Sequence, residues 1–175
     1  PTVDEVAEYK EKNSSDILHA FREDNKLTEK PIIAILAGSR KQEIKDNLLA
    51  MLKAAESFSN YQLVIAGAPS IDENYYRQFI NKETKIVFSQ TDRLLQFSEA
   101  ALVTSGTATL ETALFRVPQV VCYKTPLPRL VYWGYEHILK TRYISLVNLI
   151  ANKTVVQELF AKFFSVDNIR NELDL

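Results

Sequence analysis

At 175 residues, with 46% apolar side chains and only four glycines, the chain is long enough to bury a substantial core and short enough to do so as one domain. Its 21 basic and 22 acidic residues leave a net charge of −1, which lacks the basic excess of nucleic-acid binders and sets nucleic acid aside as a partner, a local basic face apart. The single cysteine, Cys122, excludes an internal disulfide framework and a cysteine zinc site, suits a reducing compartment and reads as a buried strand residue.

The chain opens at Pro1 on a polar stretch, PTVDEVAEYKEKNSSD, that reads as the tail of a connection, so a piece of a longer protein is expected. SDILHAFREDNKL then reads as a leading helix ending near Asn25, which divides the chain into a linker and helix over 1–28 and a domain over 29–175. No apolar run approaches the roughly 20 residues that cross a bilayer, and no secretory signal is expected, which points to the cytoplasm.

From there the sequence alternates. PIIAILA (31–37), YQLVIAG (61–67), KIVFSQ (85–90), AALVTSG (100–106) and PQVVCYK (118–124) are short continuous apolar runs, the pattern of strands buried on both faces of a parallel sheet. Between them KQEIKDNLLAMLKAAESF places Ile44, Leu48, Met51, Leu52 and Ala55 on one helical stripe, and TATLETALFR follows the fourth strand. Strand alternating with helix predicts right-handed crossovers and an α/β fold, a doubly wound parallel sheet with helices on both faces.

Ligands of such sheets sit where strands end and helices begin. Two of these junctions carry unusual chemistry. In AGSRKQE (37–43), Gly38 permits a sharp turn, Ser39 can cap the helix with Gln42 at the capping-box position, and Arg40 brings a planar cation to the mouth. The segment is either an anion site or a well-capped helix with a solvated arginine. In VTSGTATLETA (103–113), Thr104, Ser105, Gly106 and Thr107 precede a helix whose first amides can hold phosphate oxygens. Glu111, about one turn on, either stabilises the helix dipole or accepts hydrogen bonds from a sugar.

Absences narrow the chemistry. There is no GxGxxG, no GxxxxGKS or GxxxxGKT, no HExxH and no Asp-x-Asp pair, so no cofactor is expected and a metal-free anion site is favoured. His19 and His137 have no adjacent nucleophile. The sequons at Asn13 and Asn152 carry little weight without a secretory signal.

LAGSRKQEI, VTSGTATLETAL, PQVVCYKTPLPRL and RYISLVNLIANKTVVQELF, in this order and at these separations, resemble the carboxyl-terminal half of the lipid-A-disaccharide synthases, a family of inverting GT-B glycosyltransferases of Gram-negative bacteria. The resemblance runs from about residue 31 to the end. It implies two Rossmann-like domains with a cleft between them, of which this chain holds the nucleotide-binding one. The implied reaction transfers 2,3-diacylglucosamine from its UDP carrier to 2,3-diacylglucosamine 1-phosphate, forming the β-1,6-linked precursor of lipid A. Carried over position by position, Gly38, Ser39 and Arg40 are implied to face the diphosphate, with Ser105, Gly106 and Thr107 as its cradle. Glu111 is the implied ribose contact, Asn148 the implied donor contact at the cleft, and Gln157 and Glu158 are weaker candidates. The acceptor site and the general base are implied to lie in an amino-terminal domain that this chain lacks, so no catalytic residue and no activity are expected here. The family commonly has Pro where this chain has Ala37, which loosens the turn without removing the Gly-Ser-Arg groups.

Two later segments have competing readings. PLPRLVYWGYEHILKTRY (126–143) mixes Leu127, Leu130, Trp133 and Ile138 with Arg129, His137, Lys140 and Arg142, which suits an amphipathic helix at the inner-membrane surface, a core-covering helix or a protein interface. VVQELFAKFFSVDNI reads as a core-facing helix whose Phe160, Phe163 and Phe164 are left bare without a partner domain, inviting a homodimer. A stand-alone nucleotide-sugar-binding or interaction module, or a UDP-N-acetylglucosamine 2-epimerase-like domain, is the alternative to the transferase half.

Overall fold

The computed structural model describes residues 15–125 and 143–173. After helix α1 (Ser15–Asp24), strands and helices alternate: β1 (Ile32–Leu36), α2 (Lys41–Ala55), β2 (Gln62–Gly67), α3 (Glu73–Arg77), β3 (Lys85–Phe88), α4 (Thr91–Gln96), β4 (Ser98–Thr104), α5 (Thr107–Leu114) and β5 (Gln119–Tyr123). Then come α6 (Leu146–Ala151), β6 (Gln157–Phe160), a 3-10 turn (Ala161–Phe163) and α7 (Val166–Leu173). The six strands form one sheet in the order β3-β2-β1-β4-β5-β6, every neighbouring pair parallel. All five predicted strands are present, and the fold is the expected doubly wound α/β class.

Continuous apolar runs form these strands because both faces of the sheet are covered. Along β1, Ile33 and Ile35 enter one core layer with Ile44, Leu48 and Met51 of α2 and Ile169 of α7. Ile32, Ala34 and Leu36 enter the opposite layer with Leu94 and Leu95 of α4 and Phe115 beyond α5. The stripe predicted on α2 is buried throughout, from Ile44 to Ala55. Phe21 carries α1 into the second layer, 5.8 Å from the Phe97 ring.

The segment VVQELFAKFFSVDNI departs from expectation. Residues 157–160 form a strand rather than a helix, pairing Val120 with Gln157 and Cys122 with Leu159 at the open edge of β5. Ala161, with φ +51°, turns the chain out of the strand into the 3-10 turn, and helix resumes only at Val166. The strand also changes the fate of the aromatics: Phe160 is buried and Phe164 packs against the core, so of the three only Phe163 stays exposed, with the Lys162 ammonium over its ring. The segment 126–142 lies outside the described residues, and with it nearly all of the amphipathic-helix reading. Among the described residues no helix is long and apolar enough to cross a membrane.

Cys122 is fully buried, and burial pushes its thiol up from 9.0 to about 12; burial likewise raises the Tyr76 phenol, which is also buried. Both groups are held neutral in the folded state, so the stability they contribute is complete below their unfolded pKa values and is lost as pH climbs through the folded ones. Unfolding free energy should therefore fall above about pH 9, by up to about 1.4 kcal/mol per pH unit for each titrating group. Urea midpoints at about pH 8 and about pH 10.5 check this: Cys122→Ala should flatten the decline, and an unchanged slope in that variant would remove Cys122 as its cause.

Candidate functional site

The strand order reverses between β1 and β4: from β1 the chain winds outward to β2 and β3, then returns to lay β4 on the other side and β5 and β6 beyond it. Loops leaving two such strands diverge to opposite faces of the sheet and leave a crevice at their carboxyl ends. A cleft of about 490 Å³ lies there, lined by Leu36, Gly38, Ser39, Arg40 and Glu43 on one side and by Thr104, Ser105, Gly106, Thr107, Ala108 and Glu111 on the other. Seven predicted site residues, far apart in sequence, thus share one wall-to-wall space. Asn148, Gln157 and Glu158 do not line it.

The two walls differ in how their helix starts are satisfied. On the β1 side, Gly38 adopts φ +117° and throws the chain over, so that Arg40 rather than Ser39 occupies the cap position and Glu43 rather than Gln42 the third helical one. Glu43 Oε2 accepts hydrogen bonds from the Ser39 and Arg40 amides at 3.0 and 3.3 Å. Its Oε1 lies 3.4 Å from Arg40 Nη1. Gln42 instead donates to Asp46. The anion that seats on this loop's amides is therefore the chain's own carboxylate, while the Arg40 side chain stays 82% exposed. On the β4 side, Gly106 caps α5 with φ +149° and ψ −163° and carries no side chain to satisfy the helix amides; the first turn holds no acidic residue. Unpaired amides at a helix start carry a partial positive charge. Thr109 Oγ1 donates to the Gly106 carbonyl at 2.8 Å and Gln119 Nε2 to the Thr109 carbonyl at 2.9 Å, fixing the turn against β5. Glu111 lines the cleft with its carboxylate unpartnered among the described residues.

Asn148 is placed differently from expectation. It is buried, and its amide is consumed within the chain: Nδ2 donates to the Val156 carbonyl and to Glu158 Oε1, both at 2.8 Å, while Oδ1 accepts from the Val155 and Val156 amides at 2.7 and 3.0 Å. With both hydrogens and both lone pairs committed, it holds α6 to β6 and has nothing left for a ligand. Glu158 belongs to the same network, accepting from the Ile144 and Ser145 amides and the Ser145 hydroxyl. Gln157 sits exposed on the edge strand. This cluster meets the cleft through Ser105 Oγ, which donates to the Ile144 carbonyl at 3.4 Å. Asn152 caps α6 in the left-handed conformation that asparagine tolerates.

The sequence reading missed the cleft's far end. Ala66 and Gly67 at the end of β2, Ala68 and Pro69 after it, and Thr91 at the start of α4 complete the lining. The signal was there in AGAP, a turn at a strand's carboxyl end. Tyr76 steadies it, its hydroxyl accepting from the Ala68 amide at 2.9 Å. Thr104 contributes a buried hydroxyl without a partner among the described residues. Among the described residues no group of three or more His, Cys, Asp or Glu is arranged to hold a metal ion.

Solved structures share this architecture. E. coli ADP-heptose lps heptosyltransferase II matches with a TM-score of 0.61 at 13% identity, over 92% of this chain and 51% of that one. CalG4, the calicheamicin glycosyltransferase, matches with a TM-score of 0.51 at 15% identity, over 83% of this chain and 33% of that one. The fold is thus the Rossmann-like α/β domain found in GT-B glycosyltransferases.

Sequence comparison narrows the class. A family model described as lipid-A-disaccharide synthetase matches residues 1–174. The lipid-A-disaccharide synthase of Myxococcus xanthus (strain DK1622) is 36% identical over 168 residues, covering 91% of this chain and 43% of that protein. That of Coxiella burnetii (strain Dugway 5J108-111) is 31% identical over 149 residues, covering 83% of this chain and 39% of that protein. The chain belongs to the lipid-A-disaccharide synthase family and spans roughly two fifths of the length of these relatives.

Proposed function

We propose that this chain is the donor-binding half of a lipid-A-disaccharide synthase, holding UDP-2,3-diacylglucosamine while a second domain presents 2,3-diacylglucosamine 1-phosphate. The observation that carries the reading is the switch-point cleft, with the exposed Arg40 on one wall, the uncapped start of α5 on the other and an unpartnered Glu111 one turn in. The α5 amides around Gly106 and Thr107 receive diphosphate oxygens, Arg40 pairs with them from across the cleft, and Glu111 accepts hydrogen bonds from the ribose. Asn148 and Glu158 act by position, keeping the α6 segment against Ser105.

In an inverting transfer the acceptor hydroxyl attacks the anomeric carbon as the bond to the diphosphate breaks, and the electron pair leaves on UDP. Arg40 and aligned amides stabilise that developing charge without a metal ion. The proton of the attacking hydroxyl goes to a general base in the partner domain. The chain alone is then a binder rather than a catalyst.

UDP binding, followed by calorimetry or by amide chemical shifts without added metal, tests this. Arg40→Ala should weaken UDP by at least about tenfold, the worth of a charge-assisted pair, and Glu111→Ala by a similar factor. UDP at millimolar concentration that moves no amide near Ser105 or Glu111 would remove the assignment. Adding the amino-terminal domain in trans should restore disaccharide formation; persistent inactivity with a folded partner favours a nucleotide-sugar-binding module instead.

A further inference from the structure

Three helices, α2, α4 and α5, begin at the cleft, and just ahead of α2 two loop amides are filled from within. Glu43 bends back over the Gly38 turn so closely that a Cβ on Gly38 would fall 2.6 Å from both Glu43 Cβ and Glu43 Oε2. The same carboxylate accepts from the Ser39 and Arg40 amides and reaches toward the Arg40 guanidinium. It lines the cleft, yet its side chain is only 20% exposed. A ligand diphosphate arriving at this loop meets the Ser39 and Arg40 amides already paired and a negative charge behind them.

Resting on the donor-site reading above, we infer that Glu43 is a positioning residue: it staples the Gly38–Arg40 loop so that the loop offers the diphosphate the Arg40 guanidinium, and the start of α5 supplies the backbone cradle. Three features carry this. The carboxylate spans two consecutive amides, which fixes the direction in which the Arg40 side chain leaves the backbone. Gly38 is the one residue that fits beneath it, since its φ of +117° and the contact with Glu43 both exclude a side chain. Across the cleft, no heavy atom of the described residues lies within 4 Å of where a Cβ on Gly106 would fall. On one wall the Ser39 and Arg40 amides are paired within the chain, and on the other the Gly106 cap brings no side-chain partner. Because Arg40 is largely exposed, its orientation depends on the backbone beneath it, and pre-orientation lowers the entropy lost when it meets an anion.

The test measures UDP and uridine affinities for the 175-residue chain and for E43A, E43Q, R40A and R40A/E43A, with far-UV circular dichroism confirming the fold. E43A should weaken UDP by about tenfold and leave uridine within about twofold, because the loss is confined to the diphosphate. E43Q, whose amide oxygen still accepts from both backbone N–H groups, should stay within about threefold of wild type. R40A/E43A should bind no more weakly than R40A, since Glu43 acts through Arg40. Equal loss for UDP and uridine, or additive losses in the double variant, overturns the inference. Tighter UDP binding by E43A or E43Q also overturns it and makes Glu43 an internal competitor that the ligand displaces. Should E43A fail to fold, E43Q against R40A decides on the same criteria. A wild-type chain that binds no UDP removes the donor site and this inference together; wild-type binding without the E43A pattern removes the inference alone.

Discussion

Gly106→Val should reduce UDP affinity by roughly 100-fold or more while lowering stability by only about 1–3 kcal/mol, the usual cost of holding a side-chain-bearing residue in a glycine-only region of backbone space. Packing among the described residues does not forbid the substitution, since none of them has an atom within 4 Å of where a Cβ would go. The backbone does: at φ +149° and ψ −163° a branched residue is strained, and relief rotates the very peptide units whose N–H groups face the cleft. Thr107→Ala is the companion measurement, because it removes a hydroxyl and keeps the backbone; it should stay within about threefold of wild type. A Gly106→Val protein that binds UDP normally would show that the ligand does not rest on the start of α5.

The second large effect is on stability. Asn148→Ala strands two amides, one carbonyl and part of the Glu158 carboxylate in a part-buried setting, and should cost about 2–3 kcal/mol, lowering the melting temperature on the order of 5–10 °C. Asn148→Asp keeps the shape and turns two donated hydrogen bonds into repulsions, one of them against Glu158. One carboxyl of that pair then titrates upward in the folded state, so the penalty is present at neutral pH and relieved as pH falls through the raised value. The gap between wild type and Asn148→Asp in thermal melts should narrow from about pH 7.5 to about pH 5. A gap that widens on acidification would mean that the aspartate is stabilised by its surroundings, contrary to the network described.

What the sequence disclosed and what it hid follow from the physics of particular residues. The five central strands are legible because a strand covered on both faces has no polar alternation to dilute its apolar run. β6 is not, because Val156, Leu159, Phe160, Phe163 and Phe164 recur at helical spacing. The left-handed Ala161 and the free edge of β5 decide in favour of a strand, and neither is a property of local composition. That one difference carries over to the site. Val155, Val156 and Glu158 reach Asn148 only once β6 has paired, so without the strand Asn148 looks available to a ligand. The cleft itself was readable from Gly-Ser-Arg and Thr-Ser-Gly-Thr because both follow strands that end at the same side of the sheet. The frame of the first cap was not, since the turn at Gly38 sets whether Ser39 or Arg40 opens the helix.

The strand order also governs how the molecule comes together in time. β1 lies at the middle of the sheet, but one of its two neighbours, β4, is drawn from far along the chain: Ile33 pairs with Ala100 and Ile35 with Leu102. A chain emerging amino-terminus first can lay β2 beside β1 and β3 beside β2 early, leaving the other edge of β1 an unpaired apolar ribbon until Thr104 has been made. Closing that pairing loses much loop entropy before any contact repays it, which makes folding slow compared with a helical domain of this size. The loops that line the cleft leave the two paired strands farthest apart in sequence, β1 and β4, so the cleft and the folding bottleneck share one seam.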